Sequence, residues 1–97
     1  MRRLRLVSAA EEELAEAALF YESRGKNVAA LFLCRIEEAF RSIQENPRAA
    51  PVLYESARRK IVTQFPYALI YQEGSDEIVV ISVMHMHRNP GYWKNRL

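Results

Sequence analysis

Residues 77–84, Glu-Ile-Val-Val-Ile-Ser-Val-Met, constrain the fold more than any other segment because they are apolar at nearly every position. A strand with one solvated face alternates apolar and polar residues, whereas a strand covered on both faces does not. The segment is rich in β-branched residues and follows the turn residues Gly74-Ser75-Asp76, which favours a strand. We therefore predict a strand that is buried on both faces and has a central place in a sheet.

Two earlier segments, residues 60–63 and 67–72, are also rich in β-branched and aromatic residues and complete a predicted three-strand meander. In the second of them, Tyr67, Leu69 and Tyr71 recur at every second position, which is the spacing of one face of a sheet. An aromatic row of this kind could stack bases, but it is more typical of a sheet face that lies under a helix.

The first half of the chain predicts one strand followed by two helices. Leu and Arg alternate within residues 1–7, as in a half-buried strand. Ser8 is the expected N-cap of a first helix that ends near Ser23. A second helix is expected from its cap Asn27 to Asn46-Pro47, because the residue before proline avoids the helical conformation. Its predicted buried face consists of Ala29, Phe32, Leu33, Ile36, Phe40 and Ile43.

The remaining segments complete an α+β fold of the order β-α-α-β-β-β-α. Residues 47–57 show no periodicity and are expected to form a loop. Asn89 and Pro90 predict a short C-terminal helix, which Trp93 would pin to the sheet. The whole chain, residues 1–97, is expected to be a single domain in which a helical hairpin packs on one face of a small, mostly antiparallel sheet.

Composition excludes several classes of protein. No run of about 18 apolar residues is present, so a membrane-spanning helix is not expected. Cys34 is the only cysteine, which rules out an internal disulfide and favours a cytoplasmic location. The simplest role for Cys34 is that of a small core residue. The net charge is +2, with residues 58–97 carrying six Lys or Arg against three acids. This mild basic bias suits an acidic partner, either nucleic acid or protein.

Residues 85–93 contain most of the side chains that could perform chemistry, and they follow the predicted central strand. A metal-free cleavage of RNA could use His85 or His87 for proton transfer, Tyr92 as a proton donor and Arg88 to stabilise a charged phosphate. Alternatively, the two histidines merely share one strand face, and Arg88 is a surface or partner-binding cation. No third ligand accompanies the histidines at a familiar spacing, so neither a metal nor a cofactor is expected.

A second basic cluster opens the meander. Strand alternation places Arg58 and Lys60 on one face and Arg59 on the other. The cluster could contact phosphates, or it could protect a sheet edge from pairing with another chain. If Trp93 pins the C-terminal helix, then Tyr92 or Lys94 is left free for a partner.

Several motifs together resemble the ParE/RelE superfamily, the small toxins of type II toxin–antitoxin systems that are often labelled plasmid stabilisation proteins. The motifs are Asn-Pro at the end of the second helix, Phe-Pro-Tyr at residues 65–67, and His-x-x-Arg followed by Pro and Trp within residues 85–93. The likeness covers nearly the whole chain. It implies two helices packed against a curved antiparallel sheet.

The resemblance also implies one of two activities. RelE-like members cut messenger RNA on the ribosome, whereas ParE-like members poison DNA gyrase and need no catalytic residues of their own. Ala68 and Met86 stand where the nucleases carry phosphate-binding arginines, although Tyr92 matches their terminal tyrosine and Arg59 falls near a basic strand position. Because each lost donor removes several kcal/mol of transition-state stabilisation, roughly 2.7–4 in other enzymes, we favour ParE.

We therefore expect a ParE-like toxin that inhibits DNA gyrase by binding and is neutralised by a cognate antitoxin, ParD-like or other. The antitoxin is expected to wrap the toxin, laying a helix across the helical hairpin and covering the sheet. Leu19 and Phe20, which lie off the core stripe, are the predicted antitoxin-binding residues. The residues expected to bind the target or nucleic acid are Arg58, Arg59, Lys60, Arg88, Trp93 and Lys94.

Two alternatives remain open at this stage. The first is a ribosome-dependent, metal-free mRNA endonuclease with His85, His87, Arg88 and Tyr92 as its catalytic residues. The second is a non-toxic relative that only binds an antitoxin.

Overall fold

Residues 2–97, the part of the chain that the computed structural model describes, contain two helices and five strands. In chain order these elements are β1 (Arg3–Leu6), α1 (Ser8–Glu22), α2 (Lys26–Glu45), β2 (Val52–Tyr54), β3 (Ala57–Ile61), β4 (Tyr67–Glu73) and β5 (Glu77–His85), followed by a 3-10 turn over Lys94–Arg96.

The strands form one mixed sheet in the order β1-β5-β4-β3-β2. β1 runs parallel to β5, with Leu4 opposite Ile78, and the other neighbouring pairs are antiparallel. The α1–α2 hairpin connects β1 to the rest of the sheet and packs on one of its faces. The predicted α+β architecture and the meander β3-β4-β5 are thereby confirmed.

β5 is buried on both faces and lies between β1 and β4, as its composition predicted. Ile78, Val80 and Val83 face the helical hairpin, whereas Ile81 and Met84 face the other side of the sheet. Strict alternation would not place residues 80 and 83 on one face. A register shift opposite Ile70/Tyr71 inserts one extra residue into β5 and changes the parity.

The aromatic row of β4 lies under the helices, also as predicted. Tyr67, Leu69 and Tyr71 pack with residues of both helices. Tyr71 is fully buried, and its hydroxyl donates a hydrogen bond of 2.7 Å to the carbonyl of Pro47. This bond fastens the start of the α2–β2 connection to the core.

The predicted helix caps are wrong at both helices. β1 continues its pairing through Val7, whose N–H donates to the carbonyl of Val80 (3.0 Å), so α1 begins directly at Ser8 without a side-chain cap. Gly25, at a φ of +139°, reverses the chain, and α2 begins at Lys26, one residue before the expected cap Asn27.

Two residues predicted in the core of the second helix are exposed. The buried stripe of α2 consists of Phe32, Ile36, Ala39 and Ile43. Leu33 and Cys34 are one and two positions beyond Phe32, and each step turns a side chain by about 100° around the helix. Both therefore point away from the sheet.

The predicted loop 47–57 contains the strand β2, and the predicted C-terminal helix is absent from the described residues. The three residues of β2 are all exposed, so their sequence carries no alternation. After β5 the chain forms turns, and Gly91 at a φ of +86° interrupts any helix that Asn89 and Pro90 could start. Only the 3-10 turn over Lys94–Arg96 remains.

Substituting Tyr71→Phe removes the hydroxyl that holds Pro47 while keeping the aromatic ring. We expect the free energy of unfolding to fall by about 0.5–1.5 kcal/mol, the usual worth of one hydrogen bond. The matched control is Tyr54→Phe, on an exposed strand, which should change stability by less than about 0.5 kcal/mol. Urea unfolding measures both, and equal losses in the two variants would contradict this role of Tyr71.

Candidate functional site

Trp93, in the segment after β5, packs on the face of the sheet opposite the helical hairpin. Trp93 is 1% exposed and packs with small or apolar residues of three strands. Those residues are Ala57, Ala68, Ile70, Ile81 and Met84. The indole thus fills the space above Ala68, and the expectation that Trp93 pins the end of the chain to the sheet is confirmed.

The carboxylate of Glu13, on α1, is the polar centre of this region. It accepts hydrogen bonds from the Ser82 hydroxyl (3.0 Å), the Val83 backbone N–H (3.0 Å) and the Tyr92 hydroxyl (2.6 Å). Both terminal nitrogens of Arg96 also donate to it, at 3.0 and 3.2 Å. One side chain therefore joins α1, β5 and the C-terminal segment.

Glu13 is ionised in this site because the hydrogen bonds that lower its pKa outweigh the burial that raises it. Burial is the largest single influence on the pKa of Glu13 and would raise it. The hydrogen bonds from Arg96, Tyr92, Val83 and Ser82 act in the opposite direction, and together they lower the pKa below its ordinary value of 4.5. The group is ionised at neutral pH.

Tyr92 is an anchor of the fold. Burial and the hydrogen bond to Glu13 both raise the pKa of Tyr92 above its ordinary value of 10.0. Its proton already points to a carboxylate, and its oxygen also lies 2.9 Å from the Ser82 hydroxyl. The guanidinium of Arg88 stacks over the ring, 5.0 Å from its centroid, and does not approach the hydroxyl in a hydrogen bond.

A cleft between α1 and the end of β5 has a volume of about 290 Å³. It brings His85 and Arg88 together, beside Tyr67. The carboxylates of Glu13 and Glu16 line the same cleft. A phosphate in this space would therefore meet negative charge as well as positive, which opposes its binding.

The two histidines lie next to each other at the mouth of this cleft. Their ring centroids are 5.3 Å apart, and the backbone N–H of His87 donates to Nδ1 of His85 (3.1 Å). The ring of His85 meets Tyr67 edge-on at 5.0 Å. His85 is half-buried, whereas His87 is exposed.

The basic cluster on β3 lies elsewhere. Arg58 donates to the carbonyls of Arg48 (3.2 Å) and Ala50 (2.7 Å), so it fixes the connection before β2. Lys60 shares that face of the sheet, and Arg59 lies on the opposite face, as alternation predicted. β2 pairs with the first part of β3, through Ala57 and Arg58, so Arg58 does not lie on the sheet edge.

The side chains that a nuclease would need do not converge within residues 2–97. His85 and Arg88 share the cleft, but neither Arg58 nor Arg59 lines it. Arg88 and Arg96 both lie over the ring of Tyr92, but the hydroxyl of Tyr92 is bound to Glu13. No set of three or more His, Cys, Asp or Glu side chains in this range is placed to hold a metal ion.

The helical hairpin exposes a row of apolar side chains around its turn. Leu19 is 66% exposed and Phe20 48%, and Val28, Leu31 and Leu33 on α2 are exposed as well. Large apolar patches on a small protein mark surfaces that bind partners. The expected exposure of Leu19 and Phe20 is confirmed, and their contact with an antitoxin stays a prediction.

Sequence reasoning missed Glu13 and Arg96, which organise the site. Glu13 was one of three consecutive glutamates in the first turns of α1, and nothing local distinguishes it from Glu11 and Glu12. Its partners are 69 to 83 residues away along the chain. A weak signal exists: Glu13 lies three positions after Ala10 and four before Ala17, the buried residues of α1, and therefore shares their face of the helix.

Comparison with known proteins gives a family match over most of the chain. The family described as "ParE toxin of type II toxin-antitoxin system, parDE" matches residues 4–90. A solved structure described as "Chromosomal ParDE TA system from P. aeruginosa" has the same fold, with a TM-score of 0.77 and 18% sequence identity over 90% of this chain and 98% of that one. No curated protein matches. In residues 2–97, neither helix is long and apolar enough to cross a membrane.

Replacing Glu13→Gln should destabilise the protein at neutral pH, because the amide cannot pair with Arg96 as a charge. We expect a loss of about 1.5–3 kcal/mol, the range for hydrogen bonds to a charged group. Since folding lowers the pKa of Glu13, its contribution is complete above the unfolded value near 4.5 and is lost as the pH falls through the folded value.

As the pH falls below about 4.5, the free energy of unfolding should therefore decrease less in Glu13→Gln than in the wild type. Glu12→Gln, an exposed neighbour on the same helix, is the control and should behave like wild type. Urea unfolding between pH 3 and 7 measures both effects. Parallel stability–pH curves for wild type and Glu13→Gln would refute the lowered pKa.

Proposed function

The chain belongs to the ParE toxin family of type II toxin–antitoxin systems, and we propose that it acts in the cytoplasm by binding DNA gyrase and is neutralised by a cognate antitoxin. The observation that supports binding rather than cleavage is the hydrogen bond from Tyr92 to Glu13. This bond supports a structural role for Tyr92, the tyrosine that a RelE-like nuclease would use for proton transfer.

The face of the sheet opposite the helices supports the same proposal. A nuclease needs cations that surround the scissile phosphate on an accessible surface. Here Ala68 is fully buried under Trp93, and Met84 packs beside it. The residues on this part of the face form a small second core.

The exposed row on the helical hairpin supports neutralisation by an antitoxin. Leu19 and Phe20 on α1 and Leu31 on α2 are large apolar side chains in contact with water. An amphipathic helix can cover such a surface by placing its own apolar residues at intervals of three and four. A disordered antitoxin segment that folds on this surface would bury the row and gain the corresponding hydrophobic energy.

The target is tested with the purified chain in two parallel assays. It should inhibit DNA supercoiling by gyrase and leave messenger RNA intact on translating ribosomes. Cleaved message that disappears with Arg88→Ala would establish the endonuclease instead. No effect in either assay, from a folded protein that still binds its antitoxin, would identify a non-toxic relative.

The antitoxin surface is tested by Leu19→Asp. Burial of one leucine contributes about 1.5–3 kcal/mol, so this change should weaken binding of the cognate antitoxin by roughly 10- to 100-fold. Val52→Asp places the same charge on an exposed apolar residue of β2 and serves as the control. Isothermal titration calorimetry measures both, and unchanged affinity of Leu19→Asp would move the antitoxin away from the hairpin.

A further inference from the structure

A hollow of about 300 Å³ lies on the face of the sheet opposite the helical hairpin, between β2, β3 and the C-terminal segment. We call it the sheet-face hollow. Its polar side chains are Arg59 and Lys94, with the rings of Tyr54 and Trp93 beside them. Leu53 and Met84 supply apolar wall.

Two hydrogen-bond donors in side chains that line this hollow are buried beneath its surface and have no acceptor in residues 2–97. They are Nε of Arg59 and the indole Nε1 of Trp93. A buried donor that lacks a partner costs about 1–3 kcal/mol, so such groups are uncommon unless something else satisfies them. Trp93 is 1% exposed, and its ring cannot turn toward bulk water without leaving the core.

The charge at the hollow is also uncompensated. Arg59 and Lys94 make no ion pair with a described acidic residue, and no Asp or Glu lines the hollow. Lys94 is held in place by the ring of Tyr54, with Nζ 4.2 Å from the ring centroid. Gly91 leaves room for the lysine, because a Cβ there would lie 3.1 Å from its Cε.

We propose that the sheet-face hollow binds an acidic side chain, Asp or Glu, from a partner protein segment in which apolar residues flank the acid. A carboxylate supplies the negative charge that Arg59 and Lys94 do not receive from any described acidic residue. Leu53 and Met84 would contact the flanking apolar groups. Nucleic acid is less suitable, because a phosphate backbone is matched by cations along an exposed track rather than by two cations between apolar walls.

This surface is separate from the exposed row on the helical hairpin. The hollow and the hairpin are on opposite faces of the sheet, and the two sets of residues share no member.

Trp93 provides a direct readout, since it is the only tryptophan and gives the only indole N–H resonance. The probe is the peptide acetyl-Ala-Leu-Glu-Leu-Ala-amide, and the matched peptide carries Gln in place of Glu. In ¹H–¹⁵N spectra, the indole resonance should shift in a saturable way with the Glu peptide at millimolar concentration. The Gln peptide should bind at least tenfold more weakly.

Two variants locate the binding. Lys94→Gln changes an exposed side chain and should weaken the Glu peptide about tenfold, whereas Lys26→Gln, an exposed lysine on α2, should leave affinity unchanged. Equal binding of the two peptides, no movement of the indole resonance, or wild-type affinity in Lys94→Gln would each overturn the proposal. A short single-stranded oligonucleotide that shifts the indole at lower concentration than the Glu peptide would overturn it in favour of nucleic acid.

Discussion

The arrangement of the C-terminal segment depends on the hydrogen bonds that the carboxylate of Glu13 accepts. It accepts five hydrogen bonds that come from β5, from Tyr92 and from both terminal nitrogens of Arg96. Hydrogen bonds to an ionised acceptor are stronger than neutral ones, and they are stronger still away from water. Without this carboxylate, the buried guanidinium and hydroxyl would have to find other partners.

The bulge in β5 lies next to this interaction. It falls at Ile81, opposite Ile70/Tyr71, and the next two residues supply the Ser82 hydroxyl and the Val83 N–H that donate to Glu13. The end of the chain is then drawn back across the sheet, and Trp93 closes the second core. Tyr92 and Trp93, adjacent in sequence, thus attach the end of the chain by two different contacts. Tyr92 binds Glu13, and Trp93 packs in the second core. Because its hydroxyl is bound to Glu13, Tyr92 stabilises the fold. The exposed surfaces of the protein are suited to binding a partner.

Much of the fold could be predicted from local pattern, because the decisive segments have strong periods. The continuous apolar run of β5 indicated burial on both faces, and the Tyr67-Leu69-Tyr71 row indicated the face under the helices. The strand β2 could not be predicted, since its three side chains are exposed and carry no alternation. The predicted helix starts are wrong because α1 begins directly after the end of β1 pairing and α2 begins directly after Gly25.

The candidate site was less predictable, because its contacts join residues that are far apart in sequence. His85, Arg88, Tyr92 and Trp93 were found from their clustering, but the partner of the Tyr92 hydroxyl is Glu13, 79 residues earlier. Arg58 and Arg59 are adjacent, yet one fixes a connection and the other lines the sheet-face hollow. The spacing of charges does not reveal which of them find partners inside the fold.

The central claim is that the hydroxyl of Tyr92 is bound to Glu13 and takes no part in proton transfer. The most direct test is the pKa of Tyr92, measured site-specifically from the ¹³Cζ resonance in an NMR titration. The account predicts a pKa above the ordinary value of 10.0, which falls when Glu13 is replaced by Gln. A pKa below 10.0, or one that does not respond to this replacement, would contradict it.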